Sequence, residues 1–424
     1  MVLLTLFRKP IPIEEALIKL MQFPKQIEEE YIELTASAGR VLSRDVYASH
    51  PVPWFIRSPY DGYAVRASST KEAGEHNPIW LELLGIVAAG DVWHGTLQEG
   101  QAVKIMTGGA VPDGANAVIM RELTKEEERD GKIFVQLKRK LKEGENISSV
   151  GEDIEEGTRL LTKGTYINAG VIALLATFGY EKVPVTRKPK VAIIATGSEL
   201  LGTDEPLMPG KIRNSNGFML YTQALRSGAE PISFGVVKDT FEQTLETVRA
   251  ALKAADIVVT TGGVSVGDFD YIPAVYKELG AELLFNKIAM RPGSVTSAAV
   301  LGDQLLFGLS GNPSACYVGF ELFTRPVIRR MLGMENVYLQ KVEATLKQDV
   351  LKANPFTRFV RSKLSFEGGR LYVQPSGKDK SNIVSSLPGA DCFMVLPGGT
   401  RGWQAGSMVE VVLIEGQDGM KGWK

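Results

Sequence analysis

The sequence predicts a multidomain α/β plus β protein: a doubly wound, mostly parallel α/β domain at 185–333, an inserted β domain at 52–156 and a small C-terminal β-barrel at 338–424. Three observations predict it. Between residues 185 and 333, apolar β-type runs alternate with helical stripes, the pattern of a parallel sheet covered on both faces. Residues 52–156 are instead rich in glycine turns, with short β-type runs at 102–106, 117–121 and 133–137. Beyond residue 338 only short alternating runs occur, at 358–366, 371–374, 392–396 and 408–414, with Glu367-Gly368-Gly369-Arg370 as a hairpin.

Taken in order, Ile13, Ala16, Leu17, Leu20 and Met21 form the stripe of an amphipathic helix within 1–28, which packs on the α/β domain. Residues 29–51 and 157–184 form a linking region, with Pro51 and Pro53 marking a boundary and Asn168 capping a helix over 169–178 that ends at Gly179. Asp130-Gly131 closes a hairpin in the inserted domain. The α/β domain begins with a strand at 190–195 and a helix at 216–226. A strand at 231–237 and a helix striped by Phe241, Leu245, Val248 and Leu252 follow. Next come a strand through Ile257, Val258 and Val259, a helix at 271–279 and strands near 283–288 and 305–309. The domain closes with a long helix over 313–331, bent near Pro326.

Composition narrows the chemistry. A chain of 424 residues, 44% hydrophobic and 23% charged, supports about three domains. The net charge of -1 offers no field for nucleic acid or an anionic membrane, so an anion site must be local. No apolar run is long enough to span a bilayer, and the N-terminal apolar run is too short for a signal peptide, which predicts a cytoplasmic protein. Cys316 and Cys392 stand apart in no metal-ligand spacing, and His50, His76 and His94 are scattered.

The stretch after the central strand is the candidate active-site floor. Gly262 and Gly263 let the backbone turn sharply with amides free to face a phosphate, and Asp268 and Asp270 lie just beyond. Carboxylates beside a phosphate require a hard cation between them, and Mg²⁺ binds through one or two carboxylates plus phosphate oxygens. Taken alone, Gly-Gly fits a tight turn with solvated aspartates better than it fits a metal site. Glu199 and Asp239 also fall at strand carboxyl ends, where ligands of such sheets bind.

Seven stretches in one order, SPYDGYAVR (58–66), IMTGG (105–109), GEDI (151–154), ATGSEL (195–200), TTGGVSVGDFDY (260–271), MRPG (290–293) and LSGNP (309–313), resemble the molybdopterin molybdenumtransferase (MoeA) family, whose eukaryotic relative is the E domain of gephyrin. The resemblance covers essentially the whole chain. It implies an α/β domain of molybdopterin-binding type and insertion of molybdenum from molybdate into adenylylated molybdopterin, releasing AMP with a divalent cation, Mg²⁺. It also implies a homodimer whose cleft lies between the α/β domain of one subunit and the inserted domain of the other. The adenylyltransferase that makes the substrate and acceptor molybdoenzymes are further implied partners.

Position by position, the resemblance implies catalytic roles for Asp61, Thr107 and Asp153 from the inserted domain and for Glu199, Asp239 and Asp270 from the α/β domain, the last three holding the metal. It implies substrate binding by Gly262, Gly263, Ser265, Gly267, Asp268, Lys287, Arg291, Pro292, Gly293, Ser294, Ser310, Gly311, Asn312, Pro313 and Ser381. Lys287 and Arg291 would neutralise molybdate or phosphate oxygens. Several positions depart from the family pattern. Arg291-Pro292-Gly293-Ser294-Val295 replaces Lys-Pro-Gly-Lys-Pro, Ser310 replaces a proline, Ser148, Ser149 and Val150 stand where arginines are common, and Asn214 replaces an acid. A charged hydrogen bond contributes roughly 1.5–3 kcal/mol, so each lost cation would weaken anion binding about tenfold or more. Ser294 and Ser310 offer hydroxyl donors in partial compensation. Oxyanion preference, molybdate or tungstate, is open on these grounds. Two other functions fit parts of the chain: molybdopterin adenylylation by the α/β domain, and a non-catalytic scaffold or cofactor carrier.

Overall fold

The computed structural model describes residues 9–263, 271–414, 419–420 and 422. Asp45–Thr162 pack into one compact unit, and the chain on either side of them packs into another.

A six-stranded sheet organises the larger unit. Its strands lie in the spatial order Glu230–Val237, Lys190–Thr196, Ile257–Thr261, Gln304–Leu309, Ser297–Leu301 and Glu282–Phe285. The first four are parallel; the last two are joined antiparallel, so the sheet is mostly parallel with one antiparallel edge. Because successive side chains leave opposite faces of a strand, Val191, Ile193, Ile257, Val259 and Phe307 enter one core with Leu220 and Ala224 of helix Asn216–Arg226. Ile13, Ala16, Leu17 and Leu20 of helix Ile13–Leu20 join that same core. Ala192, Ile194, Val258 and Leu306 face the other way, against Leu245, Val248 and Ala251 of helix Phe241–Ala254 and Ile272 and Val275 of helix Ile272–Glu278. Helices thus cover both faces, as the doubly wound pattern requires, and every residue of the central strand is buried.

The long helix expected over 313–331 is divided. Pro313–Gly319 and Arg325–Met331 are α-helical, and Phe320–Thr324 between them widens into a π turn. Pro326 has no amide hydrogen to bond the carbonyl four residues back, and the looser turn just ahead of it absorbs that loss. Strands additional to those expected include Ser297–Leu301, Lys341–Leu346, Lys182–Thr186 and, in the smaller unit, Gly62–Val65 and Ile79–Val87.

Five strands close the C-terminal barrel. In order they are Thr357–Glu367, Arg370–Pro375, Lys341–Leu346, Met408–Leu413 and Cys392–Leu396, and the last pairs back onto the first. Val360, Val373, Met394 and Val411 fill the interior. Among the described residues, no helix is long and apolar enough to cross a membrane.

The smaller unit holds a six-stranded sheet in the order Ala117–Met120, Gly62–Val65, Gln101–Ile105, Ile79–Val87, Lys132–Leu137 and Thr124–Arg129. Its hairpin turns at Asp130 and Gly131, with φ of 51° and 76°, the pair of left-handed residues that a two-residue turn of matching twist needs. Near its ends Val46 pairs with Leu161 and Val52 bridges Ile154.

Candidate functional site

Strand register decides which loops meet in the larger unit. Ala195 pairs with Thr261 and Thr261 with Leu309, so three neighbouring parallel strands end level with one another. The chain then turns at Gly197, Gly262 and Gly311, respectively. The edge strands bring one more connection to the same end: Phe285 pairs with Ala298 and Ser297 with Gly308, so the segment between Phe285 and Ser297, which carries Lys287, Arg291 and Ser294, also opens there. The sheet thereby gathers Glu199, Asp239, Gly262, Gly263, Lys287, Arg291, Pro292, Gly293, Ser294, Ser310, Gly311, Asn312 and Pro313 at its carboxyl end. Ser265, Gly267, Asp268 and Asp270 lie outside the described residues.

Gly262 is required by its surroundings. Its φ is +94°, and a Cβ there would lie 2.3 Å from the Thr196 carbonyl oxygen. Gly263 follows at φ +63°. The Gly262 amide donates to the Leu309 carbonyl at 3.1 Å, which ties the turn to the neighbouring strand end.

Ser198 and Asp239 meet at the next turn, beside Glu199. The Ser198 amide donates to Asp239 Oδ2 at 3.3 Å, and the Asp239 amide donates to Ser198 Oγ at 3.4 Å. The Glu199 carboxylate folds back over Gly197, where both its oxygens would lie 2.8 Å from an added Cβ. Lys211 Nζ donates to the Ser198 carbonyl at 2.5 Å and brings a cation to the turn. Among the described residues, no three His, Cys, Asp or Glu side chains cluster closely enough to hold a metal ion by themselves. Two carboxylates at adjacent strand ends nevertheless fit Mg²⁺, which fills its remaining positions with water and phosphate oxygens.

A cationic row flanks this end. Arg291 pairs in register with Arg358 across strands Met290–Arg291 and Thr357–Glu367. Arg358 and Arg361 share a single carboxylate, Asp379, the latter at 3.2 Å. Burial, with Arg358 adding to it, pushes the Arg361 guanidinium down to about 10; burial and the charge of Arg291 lower Arg358. Both guanidiniums are buried, and Asp379 is their shared counter-charge. Ser381 reaches the same region, since its carbonyl accepts the Ser314 amide at 3.0 Å at the start of helix Pro313–Gly319. Sequence reasoning missed Arg358, Arg361 and Asp379, because only the pairing of Met290–Arg291 with the distant strand Thr357–Glu367 brings Arg358 beside Arg291.

The altered family positions have visible local roles. Asn214 accepts the Gly217 amide at 2.9 Å, so it still caps the first turn of helix Asn216–Arg226 as an acid would. Ser310 Oγ accepts the Asn312 amide at 3.2 Å and shapes its own loop. Both cysteines are buried, and burial pushes the Cys316 thiol up to about 12, which removes a thiolate nucleophile.

Within the smaller unit, Asp61 and Thr107 are bonded to each other. Asp61 Oδ1 accepts the Thr107 amide at 2.8 Å and the Thr107 hydroxyl at 2.9 Å. Those two bonds, the amide first, hold the Asp61 carboxyl below its ordinary range. The Asp153 amide donates to Val52 at 3.0 Å, drawing its loop beside the segment that leads to Asp61. Arg57, which sequence reasoning also missed, bridges Ser148 backbone to backbone and sets a guanidinium-bearing residue opposite the strip where Ser148 and Ser149 stand.

Fold and strand-end chemistry define the class: a doubly wound α/β protein whose polar and charged groups gather where such sheets bind ligands. Models of three regions match the chain in order: the MoeA N-terminal region (domain I and II) at 11–179, the probable molybdopterin binding domain at 192–330 and the MoeA C-terminal region (domain IV) at 343–414. The chain is 53% identical to the molybdopterin molybdenumtransferase of Bacillus subtilis (strain 168) over 97% of its own length and 96% of that protein. It is 47% identical to the protein of that name from Staphylococcus epidermidis (strain ATCC 12228 / FDA PCI 1200), covering 96% of each. The crystal structure of the molybdopterin biosynthesis MoeA protein from Pyrococcus horikoshii OT3 superposes with a TM-score of 0.81 at 35% identity, over 96% of this chain and all of that one. The chain belongs to the molybdopterin molybdenumtransferase (MoeA) family, and it is a transferase of molybdenum cofactor biosynthesis.

Proposed function

We propose that the protein inserts molybdenum from molybdate into adenylylated molybdopterin and releases AMP. One observation carries this: a left-handed glycine turn, a carboxylate turn and the segment bearing Lys287 and Arg291 all open from the same end of one sheet. The Gly262–Gly263 turn lies against the phosphates of the nucleotide, with Gly311 and Asn312 lining the same end. Lys287 and Arg291, with Arg358 beside them, hold the molybdate oxyanion. Glu199, Asp239 and Asp270 would hold Mg²⁺, which supplies positive charge to the diphosphate oxygens when bound.

Water attacks the phosphoanhydride, the P–O bond to one phosphate breaks, and AMP and the molybdopterin phosphate leave with the oxygen and protons of that water. The chain contributes positioning and charge neutralisation. Both cysteines are buried, and burial raises both thiols, so neither supplies a thiolate. Asp61, Thr107 and Asp153 complete the site from the inserted domain of a second subunit in a homodimer, and Ser265, Gly267, Asp268 and Ser381 add substrate contacts. The protein works in the cytoplasm, receiving its substrate from the adenylyltransferase and passing the cofactor to molybdoenzymes.

The deciding experiment adds molybdate and Mg²⁺ to the protein with purified adenylylated molybdopterin and measures AMP. Molybdate-dependent AMP release is expected. Consumption of ATP in its place would identify an adenylyltransferase, and neither activity would leave a scaffold.

A further inference from the structure

Asn216 is the first residue of helix Asn216–Arg226 and is only 8% exposed. Its Nδ2 donates to Thr261 Oγ1 at 2.9 Å and to the Gly311 carbonyl at 2.9 Å. Thr261 Oγ1 in turn donates to the Ser310 carbonyl at 3.1 Å. The amide orientation is set by these partners. Thr261 spends its proton on Ser310, so it accepts from Asn216, and a carbonyl can only accept. Asn216 Oδ1 is buried and accepts no hydrogen bond among the described residues. A buried acceptor left this way costs stability, so packing alone does not explain an asparagine here.

The two loops that Asn216 ties belong to different strands. Thr261 leads into the Gly262–Gly263 turn. Ser310 and Gly311 lead to Ser314, whose amide and hydroxyl bond the carbonyls of Ser381 and Ile383 at 3.0 and 2.6 Å. The same loop lies against the Arg291–Ser294 turn, since a Cβ on Gly293 would be 3.2 Å from the Ala315 carbonyl oxygen. Gly311 and Gly262 also pack backbone to backbone, with 3.6 Å from a Cβ on Gly311 to the Gly262 Cα. A continuous path of hydrogen bonds and backbone contact therefore joins the nucleotide turn to the cationic row.

Resting on the functional reading above, we propose that Asn216 is a positioning residue that couples the nucleotide turn to the oxyanion place, so that an anion held at either one favours binding at the other. Ordering one loop orders the other in advance, and the second ligand then meets a loop already set. Such coupling is reciprocal.

The test titrates the full-length protein by calorimetry with AMP and with molybdate, each alone and with the other saturating, all with Mg²⁺. The wild type is expected to bind each ligand about fivefold or more tightly when the other is present, the same factor both ways. In Asn216→Ala that factor falls toward one, while each ligand alone binds within about threefold of wild type. Thr261→Val, which removes the hydroxyl relay at nearly constant volume, gives the same loss of coupling if Asn216→Ala does not fold. Binding of both ligands to the wild type with no mutual effect overturns the coupling and leaves the functional reading standing. Undiminished coupling in the variants overturns the role of Asn216. Binding of neither ligand to the wild type overturns both.

Discussion

Gly262→Ala is the most direct probe of the strand-end turn. At φ +94° an alanine pays roughly 1–2 kcal/mol for the left-handed backbone alone. Its methyl would also fall 2.3 Å from the Thr196 carbonyl oxygen, whereas non-bonded atoms settle at roughly 3.5 Å. The turn must therefore yield by about 1 Å, and a misplacement of that size costs about 100-fold in rate when it reaches the reacting groups. Molybdate-dependent AMP release should fall by about that factor, while the melting transition drops only a few degrees and circular dichroism stays native. An alanine variant with unchanged AMP release would refute the assignment of this turn to the phosphate. A variant that fails to fold would refute the claim that the strain is local.

Four other outcomes are expected. Arg291→Ala should weaken molybdate binding about tenfold, measured by calorimetry, because one charged contact is lost. Arg57→Ala should raise the apparent KM for adenylylated molybdopterin by a similar factor, with the melting curve unmoved. Glu321, fully buried between Arg226 and Arg325, should cost about 3–5 kcal/mol in denaturant melts when replaced by alanine. Arg44, then Ser43, hold the Glu29 carboxyl well below its usual range, to about 2. Its folded value is depressed, so its stabilisation is present above about pH 4.5 and disappears as the pH falls toward 2. Glu29→Gln should accordingly lose under about 1 kcal/mol at neutral pH, the pair being half in solvent, and the gap to wild type should narrow as acid is added.

Local chemistry made much of this molecule legible. Asn168 reads as a helix cap from its place before an apolar run, and it accepts the Val171 amide at 3.0 Å. Asp130-Gly131 reads as a turn because few other pairs tolerate two left-handed residues. The carboxyl ends of strands were marked by apolar runs that stop at a glycine. What stayed hidden depends on pairings distant in sequence. Ser297–Leu301 is a strand of small residues with no alternation, held only by its neighbours Gln304–Leu309 and Glu282–Phe285. Arg358, Arg361 and Asp379 belong to no motif and become a charged group only when the chain past strand Arg370–Pro375 folds back onto Thr357–Glu367. Asn216 looked like an ordinary helix start; its two acceptors come from segments 45 and 95 residues away.

Val46 opposite Leu161, and Val52 opposite Ile154, mean that the inserted segment departs and comes home through a single doorway. A guest module with such a doorway can be traded, enlarged or trimmed without retying the host's strands.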